Sequence, residues 1–291
     1  MFTRRDALAL SLAALVTPAK AEAQKIPVVA SFSIIGDFVR QVGGDRVSVT
    51  TIVGPDGDAH VYQPSAADGR RIAQARLIFV NGLGFEGWLD RLTRAAKSKG
   101  EVVTLGNGVA ARKDEEGQDP HAWQDVANAK VYVEAIREAL TAADPEGAQT
   151  YKANADAYLA KLDALDAEIQ QAIAAVPKER RRVVSTHDAF GYFAARYGVE
   201  FIAPQGVSTE AEVSARDVAR IIDAVRAHKV GAVFIENVAD PRLAKRIASE
   251  TGARMGGTLY SDALSDAKGD GTTYIDMMRH NVKELAKALA P

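Results

Sequence analysis

The residues best equipped for chemistry in this chain are its five histidines, because it contains no cysteine. Without thiolates, a metal site or nucleophilic centre has to be built from imidazoles and carboxylates. Three of the histidines share one kind of location. His60 follows the apolar run Val47–Val53 through the loop Gly54-Pro55-Asp56-Gly57-Asp58. His121 lies in the loop beyond Glu101–Leu105, and His187 comes directly off Arg182–Thr186, where a helix is expected to begin. Asp262 follows Arg254–Leu259 in the same way. Residues beyond the carboxyl ends of strands line the ligand crevice of open α/β sheets. Three neutral imidazoles and one carboxylate make a four-coordinate nitrogen–oxygen set suited to Zn2+. Four protein ligands leave a tetrahedral shell no position for reactive water, which favours binding over catalysis. No His-Glu-x-x-His or Gly-x-Ser-x-Gly motif argues otherwise.

Other candidates have structural readings. His228 ends the helix expected from Ser214, where a cation complements the helix dipole. His280 is expected on the solvated side of the last helix. Tyr62, Trp123, Phe190 and Phe193 read as packing residues. Asp58, Asp119 and Asp125 are placed either to orient the imidazoles or to serve as loop and cap residues.

Positioning the four groups requires strands that stop just before them. Alternating short apolar runs and amphipathic stretches give an α/β pattern, with strands expected at Pro27–Phe32, Val47–Val53, Leu77–Val80, Glu101–Leu105, Arg182–Thr186, Val199–Ile202, Ala232–Ile235 and Arg254–Leu259. Helix start signals stand at Ser33, at Ser65 through Asp68, at Ser214, at Asp240-Pro241 and at Thr273, and a helix is expected over Val126–Ala142. Gly198 and Gly252 sit where C-terminal caps belong. Between the halves, Asp144-Pro145 opens a segment running unbroken to Val176, with Tyr151, Tyr158, Leu162, Leu165, Ile169 and Ile173 forming one apolar stripe. The expected fold is therefore two α/β lobes with mostly parallel sheets, joined by one long rigid helix. The expected divisions are 24–143, 144–177 and 178–291.

Residues 1–23 read as a cleavable signal peptide. Arg4-Arg5 precedes the apolar run Ala7–Val16 and the Ala-x-Ala sites Ala19-Lys20-Ala21 and Ala21-Glu22-Ala23. The remaining chain has no stretch approaching the ~20 apolar residues of a membrane helix. A formal charge of −2 offers no attraction to nucleic acid. The lack of cysteine also excludes disulfides, iron–sulfur clusters and a lipid-modified cysteine.

The segments Asp58-Ala59-His60-Val61-Tyr62-Gln63-Pro64-Ser65, Asp119-Pro120-His121-Ala122-Trp123-Gln124-Asp125, Thr186-His187-Asp188-Ala189-Phe190-Gly191-Tyr192-Phe193 and Leu259-Tyr260-Ser261-Asp262-Ala263-Leu264-Ser265 resemble the four ligand motifs of the zinc/manganese ABC-transporter solute-binding family. Supporting stretches are Ser208-Thr209-Glu210-Ala211-Glu212, Phe234-Ile235-Glu236-Asn237 and Thr273-Tyr274-Ile275-Asp276-Met277-Met278. The resemblance is collinear over the whole mature chain. It implies little domain closure, a periplasmic monomer, and delivery of a transition-metal ion to a membrane permease driven by an ATPase. It assigns ligand roles to His60, His121, His187 and Asp262. Two features bear on the metal. Manganese-selective relatives often place Glu at the third ligand position, where this chain has His187. Zinc-specific relatives often carry a His-rich loop before the second ligand, whereas Gly106–Pro120 has Asp114, Glu115 and Glu116 but no histidine. The expected cargo is Zn2+, with Mn2+ as the alternative. Two rival classes are a receptor for a siderophore- or cobalamin-type metal chelate and a metallohydrolase.

Overall fold

The alternation of short apolar runs and amphipathic helices builds two four-stranded sheets in which every strand pair is parallel. The computed structural model describes residues 25–113, 117–228 and 230–290, so the expected signal peptide and the acidic triplet at 114–116 lie outside the described residues. The first sheet comprises β1 (Ile26–Phe32), β2 (Val47–Val53), β3 (Leu77–Val80) and β4 (Glu101–Thr104), in the order β2-β1-β3-β4. The second repeats that order with β5 (Arg182–Val184), β6 (Glu200–Ile202), β7 (Ala232–Glu236) and β8 (Arg254–Leu259), as β6-β5-β7-β8. Each sheet therefore reverses strand order beside its first strand, the position that opens a crevice at the strand carboxyl ends. All four residues of β3 are buried, as a parallel strand covered by helices on both faces requires.

The helices are α1 (Ser33–Gly43), α2 (Ala66–Gln74), α3 (Leu89–Ala96), α4 (Val126–Ala143), α5 (Ala148–Ala174), α6 (Gly191–Tyr197), α7 (Ala215–His228), α8 (Pro241–Thr251) and α9 (Tyr274–Leu289). Most start and stop signals act as their chemistry dictates. Ser65 and Asp68 close a reciprocal capping box on α2. Asp240 and Thr273 cap α8 and α9. Gly198 and Gly252 end α6 and α8 with φ of 73° and 71°, a conformation that glycine adopts without steric cost.

Three expectations are corrected. Ser33 does not cap α1; it is the helix's first residue, and its hydroxyl accepts from Leu264 N at 2.9 Å in the other half of the chain. The long central helix is not unbroken from Pro145, because a 3₁₀ turn at Pro145–Gly147 precedes α5. Asp144 is drawn away from capping, with Oδ2 accepting from Arg46 Nε and Tyr151 Oη, each at 2.7 Å. The strand before His187 ends at Val184, and the following helix begins only at Gly191. α3 has no counterpart among the expected elements.

α5 is 27 residues long, or about 40 Å at 1.5 Å per residue. It buries Tyr151, Ala155, Tyr158, Leu162, Leu165, Ile169 and Ile173 along one face, against α1, α4 and α9. The main core is continuous from β1 and β3 through this stripe to Val183, Phe234 and α9. A smaller core joins Val184 and Val233 to α7 and α8. The two sheets thus share one apolar interior. Replacing Leu162, which is fully buried, with Ala is expected to cost about 2–5 kcal/mol in urea unfolding. Replacing the neighbouring exposed Lys161 with Ala should stay within about 0.5 kcal/mol.

Candidate metal centre

Each of the four residues singled out in the sequence reaches one point between the sheets. His60, His121, His187 and Asp262 are all buried, and each offers one ligand atom within 4.8 Å of the others. His60 Nε2 is 3.3 Å from His121 Nε2 and 3.5 Å from Asp262 Oδ2. His121 Nε2 is 3.5 Å from Asp262 Oδ1, and His187 Nε2 is 3.1 Å from Asp262 Oδ2. A tetrahedral shell with bonds of ~2.0–2.1 Å separates its ligand atoms by roughly 3.3 Å, so this spacing fits a first-row transition ion. Both carboxylate oxygens of Asp262 are buried without a hydrogen-bond partner. Such orphaned acceptors are rare in a protein interior and mark a position that a cation satisfies.

The loops are locked from behind. Asp119 Oδ1 accepts from the backbone N of His121 at 3.0 Å and lies 2.9 Å from its Nδ1, which points Nε2 at the centre. Glu236, at the end of β7, does the equivalent for His187. Its Oε1 accepts from Thr186 N at 2.7 Å, Thr186 Oγ1 at 2.6 Å and His187 N at 3.0 Å, while Oε2 stands 2.6 Å from His187 Nδ1. Asp262 is held through its neighbours. Asn281 on α9 clamps the peptide of Tyr260 in both directions, at 2.8 and 2.7 Å. Trp123 Nε1 and Gln124 Nε2, just after His121, both donate to Ser261 O at 2.9 and 2.8 Å. The loops carrying His121 and Asp262 are thereby tied across the two sheets. Of the three acidic residues proposed as orienting or capping groups, Asp119 orients an imidazole, Asp125 caps α4, and Asp58 accepts from His60 N at 2.9 Å.

Glu236 and Asn281 carry positioning roles that the sequence did not assign. Their only sequence signals were a polar residue at the end of an apolar strand and an Asn amid a helix's buried face. Asn81 is a third. It donates to Pro120 O at 2.8 Å beside His121, and its backbone N is accepted by Glu86 Oε1 at 2.7 Å. Tyr62, Trp123, Phe190 and Phe193 are packing residues as expected; Trp123 makes tilted and edge-on contacts with Phe32, Phe85 and His121. His228 is exposed in the last turn of α7. His280 departs from expectation: it is largely covered, packs on Tyr260 and bonds to Thr258 O at 2.9 Å.

The electrostatics follow from burying two carboxylates beside imidazoles. Burial opposes a charge on His187, but the facing Glu236 and Asp262 carboxylates override it and hold its pKa well above the usual imidazole range. Burial likewise opposes ionisation of Asp262, yet His187 and His121 keep it well below the usual carboxylate range. Glu236 is lowered by His187 against the same burial penalty. These shifts favour a proton on His187, which a metal ion at the same point would have to displace.

The chain matches the family described as zinc-uptake complex component A, periplasmic, over residues 28–288. It is 35% identical over 271 residues to a manganese-binding lipoprotein of Halalkalibacterium halodurans, spanning 92% of this chain and 90% of that protein. It is 36% identical over 270 residues to an iron-binding protein of Yersinia pestis, spanning 91% and 86%. Its fold superposes on the periplasmic zinc-binding protein of Treponema pallidum with a TM-score of 0.88 at 32% identity, covering 92% of this chain and all of that one. With the matched span running from β1 into the last turn of α9, the chain belongs to the zinc-uptake component A family of periplasmic metal-binding receptors.

Proposed function

We propose that His60, His121, His187 and Asp262 together hold one divalent transition-metal ion, Zn2+ in the first instance, and that the protein hands it to the membrane permease of an ABC importer. The observation that carries this reading is the buried Asp262 carboxylate, both of its oxygens unpartnered and facing three imidazole nitrogens. Three imidazoles and a carboxylate suit zinc in hardness and number. His121, His187 and Asp262 have no exposure, which supports a bare ion over a bulky chelate. Four protein ligands leave no open position for an activated water, which supports capture over hydrolysis. In this reading the protein is exported after loss of residues 1–23 and works in the periplasm. Residues 24–143 and 178–291 form its lobes, and 144–177 join them. No described helix is long and apolar enough to cross a membrane.

Manganese is the second reading. Asp262 turns Oδ1 toward His121 and Oδ2 toward His60 and His187, so a bidentate grip that expands the shell is within its reach. The harder carboxylate oxygens favour Mn2+ in that mode. Titration calorimetry on chelator-stripped protein is expected to give one site per chain, with zinc binding tighter than about 1 μM. Replacing His60 or His187 with Ala should weaken it at least ten-fold, since a ligand counts for no less than the groups that orient it. Normal binding by the double variant would place the site elsewhere.

The two carboxylates facing His187 give binding a proton dependence. His187 must lose its proton to ligate, and its raised pKa lets it hold that proton to higher pH than an ordinary imidazole. Affinity should therefore climb by about ten-fold per pH unit below that pKa, rather than levelling off near the ordinary histidine value of ~6.5. Calorimetry in buffers of different ionisation enthalpy should detect about one proton released per ion at pH 7. In Glu236→Gln, which keeps the acceptor for Thr186 but removes one of the two charges facing His187, affinity should drop roughly 10–100-fold and the number of protons released should fall. An unchanged proton count would mean that the proton sits elsewhere.

A further inference from the structure

The three imidazoles are not held alike. His121 and His187 each have a second carboxylate behind the ring, Asp119 and Glu236, whereas the His60 ring pairs only with Asp262 among the described carboxylates. His60 is also the one member of the four with any exposure, at 6% against 0% for the rest. It borders two surface depressions of about 320 and 530 Å3, and exposed Glu210 from the other half of the chain borders both. An ion leaving the centre by the most open side passes His60.

What fixes His60 is its backbone. Its N donates to Asp58 Oδ1 at 2.9 Å, and the second oxygen of that carboxylate accepts from Thr209 Oγ1 at 2.7 Å. Thr209 belongs to the Ser208-Thr209-Glu210 segment between β6 and α7, which supplies no ligand. That segment is braced by Gln205, whose Nε2 donates to Thr209 O at 3.0 Å and Ala211 O at 2.7 Å. Gln205 in turn forms a parallel bridge with His187. A continuous chain of contacts, His187 to Gln205 to Thr209 to Asp58 to His60, therefore links a buried group of one sheet to the least buried group of the other.

We propose that the Thr209–Asp58 hydrogen bond is a latch that keeps His60 closed over the bound ion, making Thr209 a positioning residue that sets the rate of metal release. This rests on the reading of His60 as a ligand. Full-length mature protein is loaded with Zn2+ and mixed in a stopped-flow instrument with an excess of a zinc-responsive chelating dye. Thr209→Val, which keeps the shape and loses the hydroxyl, should release zinc about ten-fold faster, the scale of one lost hydrogen bond to a carboxylate. Thr209→Ser, which restores the donor, should stay within about two-fold of the wild type. Asp58→Ala should accelerate release at least as much as Thr209→Val, and combining the two should add nothing further, as coupled partners require. The metal-free variants should still unfold cooperatively, with at most the small drop in melting temperature that one lost hydrogen bond brings, which separates a latch from a general loss of the fold. Release from Thr209→Val at the wild-type rate overturns the latch alone. Equal acceleration by Val and Ser, or additive effects of Asp58→Ala and Thr209→Val, does the same. A wild type that takes up no zinc overturns the ligand reading together with it.

Discussion

Two carboxylates buried beside imidazoles are the constraint on which this structure turns. Asp262 has no exposure and Glu236 has 1%, and an ionised carboxylate removed from water is costly unless a positive charge stands next to it. A proton on His187 or a metal ion at the shared point can supply that charge, and the two compete for the same imidazole. The surrounding architecture fixes the anions in place. β5, β7 and β8 end within a few residues of His187, Glu236 and Asp262, so their backbones are anchored in the sheet while their side chains lie beyond it. Glu236 spends Oε1 on the Thr186 and His187 amides and keeps Oε2 for the ring. Asp262 spends neither oxygen on the protein.

Much of this was legible in the sequence because it is written in local patterns. The strands at Val47–Val53, Leu77–Val80 and Arg254–Leu259 occupy their expected bounds, since each is a short run closed off by turn or loop residues. The stripe on α5 was readable for a similar reason: its large apolar residues recur at helical spacing from Tyr151 to Ile173, about six turns. The four histidine and aspartate positions stood out because chemistry-bearing residues followed strand ends. What stayed hidden depends on partners distant in sequence. Ser33 has the composition of a cap, yet its hydroxyl is taken by Leu264 N, more than two hundred residues away. Asp144 has the composition of a cap and is claimed by Arg46. His280 looked solvated by helical position and is covered by Tyr260, which arrives from β8. The orienting roles of Glu236, Asn281 and Asn81 are likewise tertiary facts, with no local signature beyond a polar residue in an apolar neighbourhood.

The three imidazoles divide into two that are braced by carboxylates and one that is not, and this asymmetry follows from topology. His121 is embedded where Trp123 and Gln124 fasten to Ser261 O, and His187 sits against β7. His60 closes a long loop at the rim. Asp56 in that loop adopts φ of +54°, a strained conformation for a non-glycine residue, and its carboxylate accepts from Asn237 Nδ2 and Asp266 N across the cleft. Side-chain hydrogen bonds fasten both regions, but those of the rim are part-buried or exposed, whereas those of the interior are buried.

The apolar interior shared by both sheets carries a consequence for traffic at the membrane. Halves that share a core around α5 would have to break buried apolar contacts in order to swing apart. Empty and laden molecules would then offer a docking partner nearly the same silhouette and differ chiefly in the rim around His60. Vacant receptors under those conditions occupy the landing site as competitors of filled ones, so throughput follows the fraction of molecules carrying cargo rather than their total number.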